Sequence, residues 1–194
     1  MMKTRRTPFD QYLGHDMDTE GDEAEEMLSA TLPLVGTVVW FFNSLEKGLD
    51  SAICEAINDR SDAIGLNVIH GMAYGQKVDL YRRLCEDLHG CFSAPEVPSF
   101  DGLSAALKEA AVLRNLVVHA DWSHSDAEGY TYTRLHIKRG GMMQEYTQLT
   151  PDSMEQVIRR IQHASELFDA YFFERTELMR DKRHDKPTPA PESP

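Results

Sequence analysis

The run LRNLVVHADWSHSD, residues 113–126, holds one arginine, one asparagine, two histidines, two aspartates and one of the chain's two tryptophans. Upstream of it, Leu103, Ala106/Leu107, Ala110, Leu113 and Val117 keep the three-four spacing of a helix with one buried face. The polar groups therefore stand at the end of a packed helix, expected to stop near His119–Ala120. Residues 121–129 read as a polar loop. Beyond it the period changes to two: Thr131, Thr133, Leu135 and Ile137 fall on one side, and Tyr130, Tyr132, Arg134, His136 and Lys138 on the other. Arg139-Gly140-Gly141 is turn chemistry, and Met142–Leu149 can return as a partner strand, so a β-hairpin is expected here.

The rest of the chain reads as helix. A first helix is expected from Pro33, a first-turn residue, to about Asn58, with Leu34, Val38, Phe41/Phe42, Leu45, Leu49 and Ile53 as its stripe. Trp40 falls off the stripe's centre and marks a second contact surface. A second helix is expected from Ser61–Asp62 to about Leu88, carrying Gly71 and Gly75 as signs of a bend or a close crossing. Ser99 caps the third helix. Thr150, with Pro151 after it, caps a fourth that reaches about Arg180. These spacings predict an all-α fold class: a four-helix up-down bundle with a small β-hairpin inserted between helices three and four. Residues 1–27 read as a flexible acidic arm, 28–180 as the helical domain, and 181–194 as a disordered tail.

The formal net charge of −12 argues against non-specific nucleic-acid binding, which needs Lys and Arg to neutralise phosphates. Any RNA contact must be local. Seven acidic residues lie between Asp16 and Glu26 with no basic one among them. The N-terminus has no apolar core of a secretory signal. The longest apolar cluster, Leu32–Phe42, is interrupted by Pro33, Gly36 and Thr37, so no membrane span is expected. Cys54, Cys85 and Cys91 follow no metal-ligand spacing and read as buried thiols in a reducing cytoplasm.

Arg114 can clamp a phosphate through two parallel hydrogen bonds. His119 can exchange a proton near neutral pH. Asn115 lies four residues before His119, on the same helical face, and can orient ring or substrate. These are the parts for cleaving a phosphodiester without a metal, the arginine holding the charge that builds on phosphorus. Five residues on a regular helix are offset by about 140° and about 7.5 Å. Arg114 and His119 converge only if the helix ends or bends, or if a second copy of the chain completes the site.

Arg114-Asn115-Leu116-Val117-Val118-His119, late in the third helix, resembles the Arg-x(4–6)-His motif of HEPN domains (higher eukaryotes and prokaryotes nucleotide-binding). Ala120-Asp121-Trp122 is similar to the small-x-Trp tail that follows that histidine, and Gly75–Leu80 (GQKVDL) resembles the second helix of such chains. Arg82 and Arg83 also stand at matching distance from His89, but lack the asparagine. The resemblance implies a homodimer with both Arg–His pairs in a shared cleft, and metal-independent endoribonuclease activity in toxin–antitoxin or anti-phage systems. Arg114, Asn115 and His119 are then catalytic, with Asp121 and His124 as second-tier candidates. Arg134, His136, Lys138 and Tyr132 would guide RNA along the hairpin by phosphate contact and stacking. An antitoxin or a nucleotidyltransferase-like protein is the expected partner, with no cofactor. Two other readings stand beside this one. One is a catalytically silent dimerisation or partner-binding module. The other is a metal-dependent enzyme using His119, Asp121, His124 and Asp126, whose residue types suit zinc or manganese but whose spacing fits no template.

Overall fold

A computed structural model describes residues 2–9, 21–58, 60–92 and 99–184. The elements run β1 (Thr4–Pro8), α1 (Asp22–Ile57), α2 (Ala63–Ile69), α3 (Tyr74–Phe92), α4 (Phe100–Val118), β2 (Asp121–Ser125), β3 (Tyr130–Lys138), β4 (Gly141–Gln148) and α5 (Pro151–His184). The expected all-α class is overturned. Five helices pack with a four-stranded antiparallel sheet of order β1-β4-β3-β2. The expected hairpin is its centre, flanked by the N-terminal strand on β4 and by β2 on β3.

α1 is the axis. Its stripe Val38, Phe42, Leu45, Leu49 and Ile53 is buried, and all four other helices pack against it. The helix begins eleven residues before Pro33. Proline lacks an N–H and normally marks a first turn, yet Pro33 lies inside this helix. Acidic Asp22, Glu23 and Glu25 occupy the true first turn, where the positive end of the helix dipole favours them. The first turns of α1, like β1, thus fall within the stretch expected as an arm; residues 10–20 and 185–194 lie outside the described residues.

Met27 to Leu45 carries no charged side chain, and α1 includes an 18-residue window of mean hydropathy 1.4, of which 22% is buried. By length and composition this one helix could cross a membrane, a test that a core helix also passes; its later half is core. Trp40 remains 64% exposed, edge-on to Phe41.

The expected second helix is two helices. Gly71 takes φ 76, a left-handed conformation open to glycine at little cost, and the chain turns there. α3 restarts with the side-chain Oε1 of Gln76 accepting from the Ala73 N–H at 2.8 Å, a third-position residue reaching back to the cap. The close crossing belongs to Gly65, where a Cβ would stand 2.6 Å from the Cα of Cys54; Gly75 has nothing within 4 Å. Lys77, in the GQKVDL run, is buried between Glu46 (2.8 Å) and Asp50 (2.9 Å) of α1 and ties the two helices together. Cys54 and Cys85 are buried thiols; the side chain of Cys91 lies outside the described residues.

The caps of the later helices stand as expected. Ser99 accepts from the Asp101 N–H, and Thr150 accepts from the Ser153 N–H at 3.3 Å. The two glycines give opposite expectations. Gly65→Ala, which overpacks the α1–α2 crossing, should cost about 1–3 kcal/mol. Gly75→Ala, in open helix, should stabilise by up to about 1 kcal/mol. Thermal melting of both variants checks the crossing; equal shifts would contradict it.

Candidate functional site

α4 stays regular to Val118, and His119 is its C-cap at φ −99, ψ 5. The N–H of His119 still donates to the Asn115 carbonyl at 3.0 Å, so the residue keeps close to helical register. The Trp122 indole N–H donates to the Val117 carbonyl at 3.0 Å, satisfying one of the open carbonyls at the helix end. This is a structural reason for a tryptophan three residues past the histidine.

Arg114 and Asn115 are brought together. The guanidinium Nη1 donates to the Asn115 Oδ1 at 3.0 Å, and the guanidinium carbon lies 5.6 Å from the centroid of the Phe42 ring on α1. The Arg114 Nε is buried without a hydrogen-bond partner. Among the described residues no carboxylate pairs with it, in a chain of 32 acidic residues. Asn115 and His119 are exposed. No hydrogen bond or ion pair joins the His119 ring to Arg114 or Asn115, and the near-helical cap does not swing it round. Within one chain the three side chains do not form a single cluster.

Asp121 and His124 pair with each other, Oδ2 to Nδ1 at 2.9 Å, while Asp121 Oδ1 accepts from the Ser123 N–H. Asp126 accepts from the Tyr130 N–H at 2.8 Å and lies 3.9 Å from Arg5. Among the described residues no three His, Cys, Asp or Glu side chains gather as a metal site would require, so the loop offers no ligand set. That loop is also partly strand: Asp121 pairs with Tyr132 and Ser125 with Thr131. Its polar side chains disguised it, because they are satisfied locally rather than by alternation.

The hairpin quartet is divided. Tyr132 pairs with Tyr146, but Arg134 pairs with Glu145. Adjacent residues of β4 face opposite sides of the sheet, and opposed residues share a face. A bulge at Thr133 therefore puts Arg134, His136 and Lys138 on one face and Tyr130, Tyr132, Leu135 and Ile137 on the other. The expected basic and aromatic strip does not exist. Arg134 and Lys138 are exposed. On the tyrosine face, Arg5 of β1 covers the rings of Tyr130 and Tyr146 at 5.0 and 5.5 Å. Burial, with Tyr146 and Asp121 nearby, pushes the Tyr132 hydroxyl above its ordinary value.

His136 is occupied. Its Nε2 lies 3.1 Å from Glu145 Oε2, which also accepts from Arg6 Nε at 2.6 Å. Burial alone would push the Glu145 carboxyl up; the hydrogen bonds from Arg6 and His136 outweigh it and hold the group below its ordinary 4.5. Sequence reasoning missed Glu145, Arg6 and Phe42. The first two become visible only when β1 is known to pair with β4, and Phe42 reads as one more core aromatic.

Set against known proteins, the chain matches no family model, no curated protein and no solved structure.

A carboxyl whose folded pKa is depressed stabilises the fold above its unfolded pKa, and that stability is lost as pH falls through the folded value. The chain should therefore lose stability as pH drops below about 4.5. Glu145→Gln should flatten that part of the melting-temperature profile while costing about 1–3 kcal/mol at neutral pH. An acid limb of unchanged size in the variant would remove Glu145 as its source.

Proposed function

We propose that the chain is a metal-independent endoribonuclease of the HEPN kind, acting as a homodimer in a cytoplasmic toxin–antitoxin or anti-phage system. The observation that supports this reading is the unpaired Arg114. A guanidinium with a buried Nε and no carboxylate is poorly satisfied as a structural ion pair. It suits a phosphate that arrives with the substrate. Phe42 holds one face of the guanidinium, Asn115 fixes one nitrogen, and the remaining donors are left for phosphate oxygens.

His119, exposed at the helix end, acts as the base that takes a proton from a ribose 2′-hydroxyl, or as the acid that protonates the leaving 5′-oxygen. Attack of the 2′-oxygen on phosphorus leaves a 2′,3′-cyclic phosphate. The offset of about 140° along α4 calls for the imidazole of a second copy beside the Arg114 of the first. Arg134 and Lys138, exposed on the hairpin, remain available to phosphates; His136 and Tyr132 no longer serve as RNA-guiding groups. An antitoxin would act by covering this cleft.

The expected outcome is RNA cleavage in EDTA with 2′,3′-cyclic phosphate ends, read by end-group analysis. Arg114→Ala and His119→Ala should each lower the rate by about 10²–10⁴-fold. An equimolar mixture of the two inactive variants should regain part of the activity through mixed dimers. Cleavage that persists in both variants would overturn the assignment. Tight dimers that cut no RNA would favour a silent binding module.

A further inference from the structure

Two pairs of residues, each four apart, bring α3 and α5 together: Tyr81 and Cys85 on α3, Tyr171 and Arg175 on α5. The two tyrosine rings meet edge-on with centroids 6.4 Å apart. Phe100, at the start of α4, stands edge-on to both, at 5.8 and 5.3 Å. All five residues are more than nine-tenths buried. Both hydroxyls stand against the Cys85 thiol, and the Arg175 charge acts on the thiol and on both tyrosines. The cluster is separate from the ribonuclease site, because Phe100 and Arg114 lie about 21 Å apart along α4.

These groups are donors without acceptors. The Tyr81 hydroxyl, the Tyr171 hydroxyl and the Arg175 Nε are each buried with no hydrogen-bond partner. Among the described residues no carboxylate forms an ion pair with Arg175. Glu86, whose charge also reaches Cys85 and Tyr171, is held by Arg82 at 3.0 Å. A guanidinium taken out of water with no counter-charge is strongly unfavourable. The Cys85 thiol does not supply that charge: burial pushes it above its ordinary value in spite of Arg175. A water molecule would accept from the hydroxyls but leave the positive charge uncompensated. An anion meets both needs. One guanidinium offsets one negative charge, so a dianion such as phosphate would stay half uncompensated among aromatic rings.

We propose that Tyr81, Tyr171 and Arg175 form a binding site for one weakly hydrated monovalent anion of the chloride class. The two hydroxyls and the guanidinium Nε–H donate to it. The 7% of Arg175 that stays exposed gives the ion access from solvent. The bound ion supplies the counter-charge that the fold withholds from Arg175, and it ties α3 to α5. Selection follows hydration: bromide, which sheds water more readily than chloride, binds at least as well, whereas fluoride keeps its water and stays out.

The test uses the full-length protein and the chlorine NMR line width of sodium chloride, which broadens when the ion exchanges with a protein site. The excess width should fall as bromide is added and persist when fluoride is added. Arg175→Met, which keeps the buried stem and removes the charge, should abolish it. Tyr171→Phe, which keeps the ring and removes one donor, should weaken binding about tenfold, and it carries the comparison if Arg175→Met does not fold. At constant ionic strength, replacing fluoride by chloride should raise the melting temperature by about 2–4 °C. General salt effects run the other way, since strongly hydrated anions favour burial. Arg114→Ala should leave the line width unchanged, so loss of the ribonuclease reading does not remove this one. No excess width, width undiminished in Arg175→Met or Tyr171→Phe, or a melting temperature indifferent to chloride would overturn the proposal.

Discussion

A carboxylate with nine-tenths of its surface removed from water must be paired, and the pairing of Glu145 organises the sheet. Its partners come from both neighbouring strands: Arg6 from β1 and His136 from β3. β1 has mostly exposed side chains and buries little of its own. Its place at the β4 edge rests on backbone pairing, on the Arg6–Glu145 bond and on Arg5 spread over two tyrosine rings. The same carboxylate fixes the side to which His136 turns. One buried charge thus holds together strands more than a hundred residues apart.

Much of the helical part was legible because its signals are local. The Val38–Ile53 stripe, the Ser99 and Thr150 caps and the period change at Tyr130 all follow from spacing within a few residues. The errors arose where one local signal outweighed another. Pro33 reads as a helix start, and the acidic residues from Asp22 read as a solvated arm, although they complement the dipole of the true first turn. The left-handed conformation at Gly71 cannot be told from a tolerated glycine until the crossing at Gly65 is seen. β1 and β2 were missed for a different reason: their partners are distant in sequence, and five-residue polar strands carry no alternation strong enough to detect.

The candidate site divides along the same line. The Arg114–Asn115 neighbourhood was readable because adjacent residues on one helix cannot be far apart. The composition of the hairpin face was not, because a single inserted residue at Thr133 exchanges the two faces of everything that follows. Alternation counted from Tyr130 assigns His136 to the tyrosines; pairing counted from β4 assigns it to Glu145. The register wins because it buries Glu145 with two partners. The alternative would leave that carboxylate with Arg6 alone and turn Leu135 away from the face it shares with Tyr132.

Electrostatics set the remaining constraint on the ribonuclease reading. A chain of net charge −12 repels a phosphate backbone at long range, an effect screened beyond about 8 Å at physiological ionic strength. Binding then depends on short-range contacts in which a few cations act without acidic neighbours. Several cations here are committed: Arg6 to Glu145, Lys77 to Glu46 and Asp50, Arg82 to Glu86, Arg159 to Glu155, and Arg160 to Glu109. Arg114 is not. A second copy would place two uncommitted Arg114 side chains near one cleft and double the local positive charge without altering the sum over the chain. On this reading the dimer supplies both the imidazole that helical geometry withholds from one chain and the charge density that the overall acidity opposes.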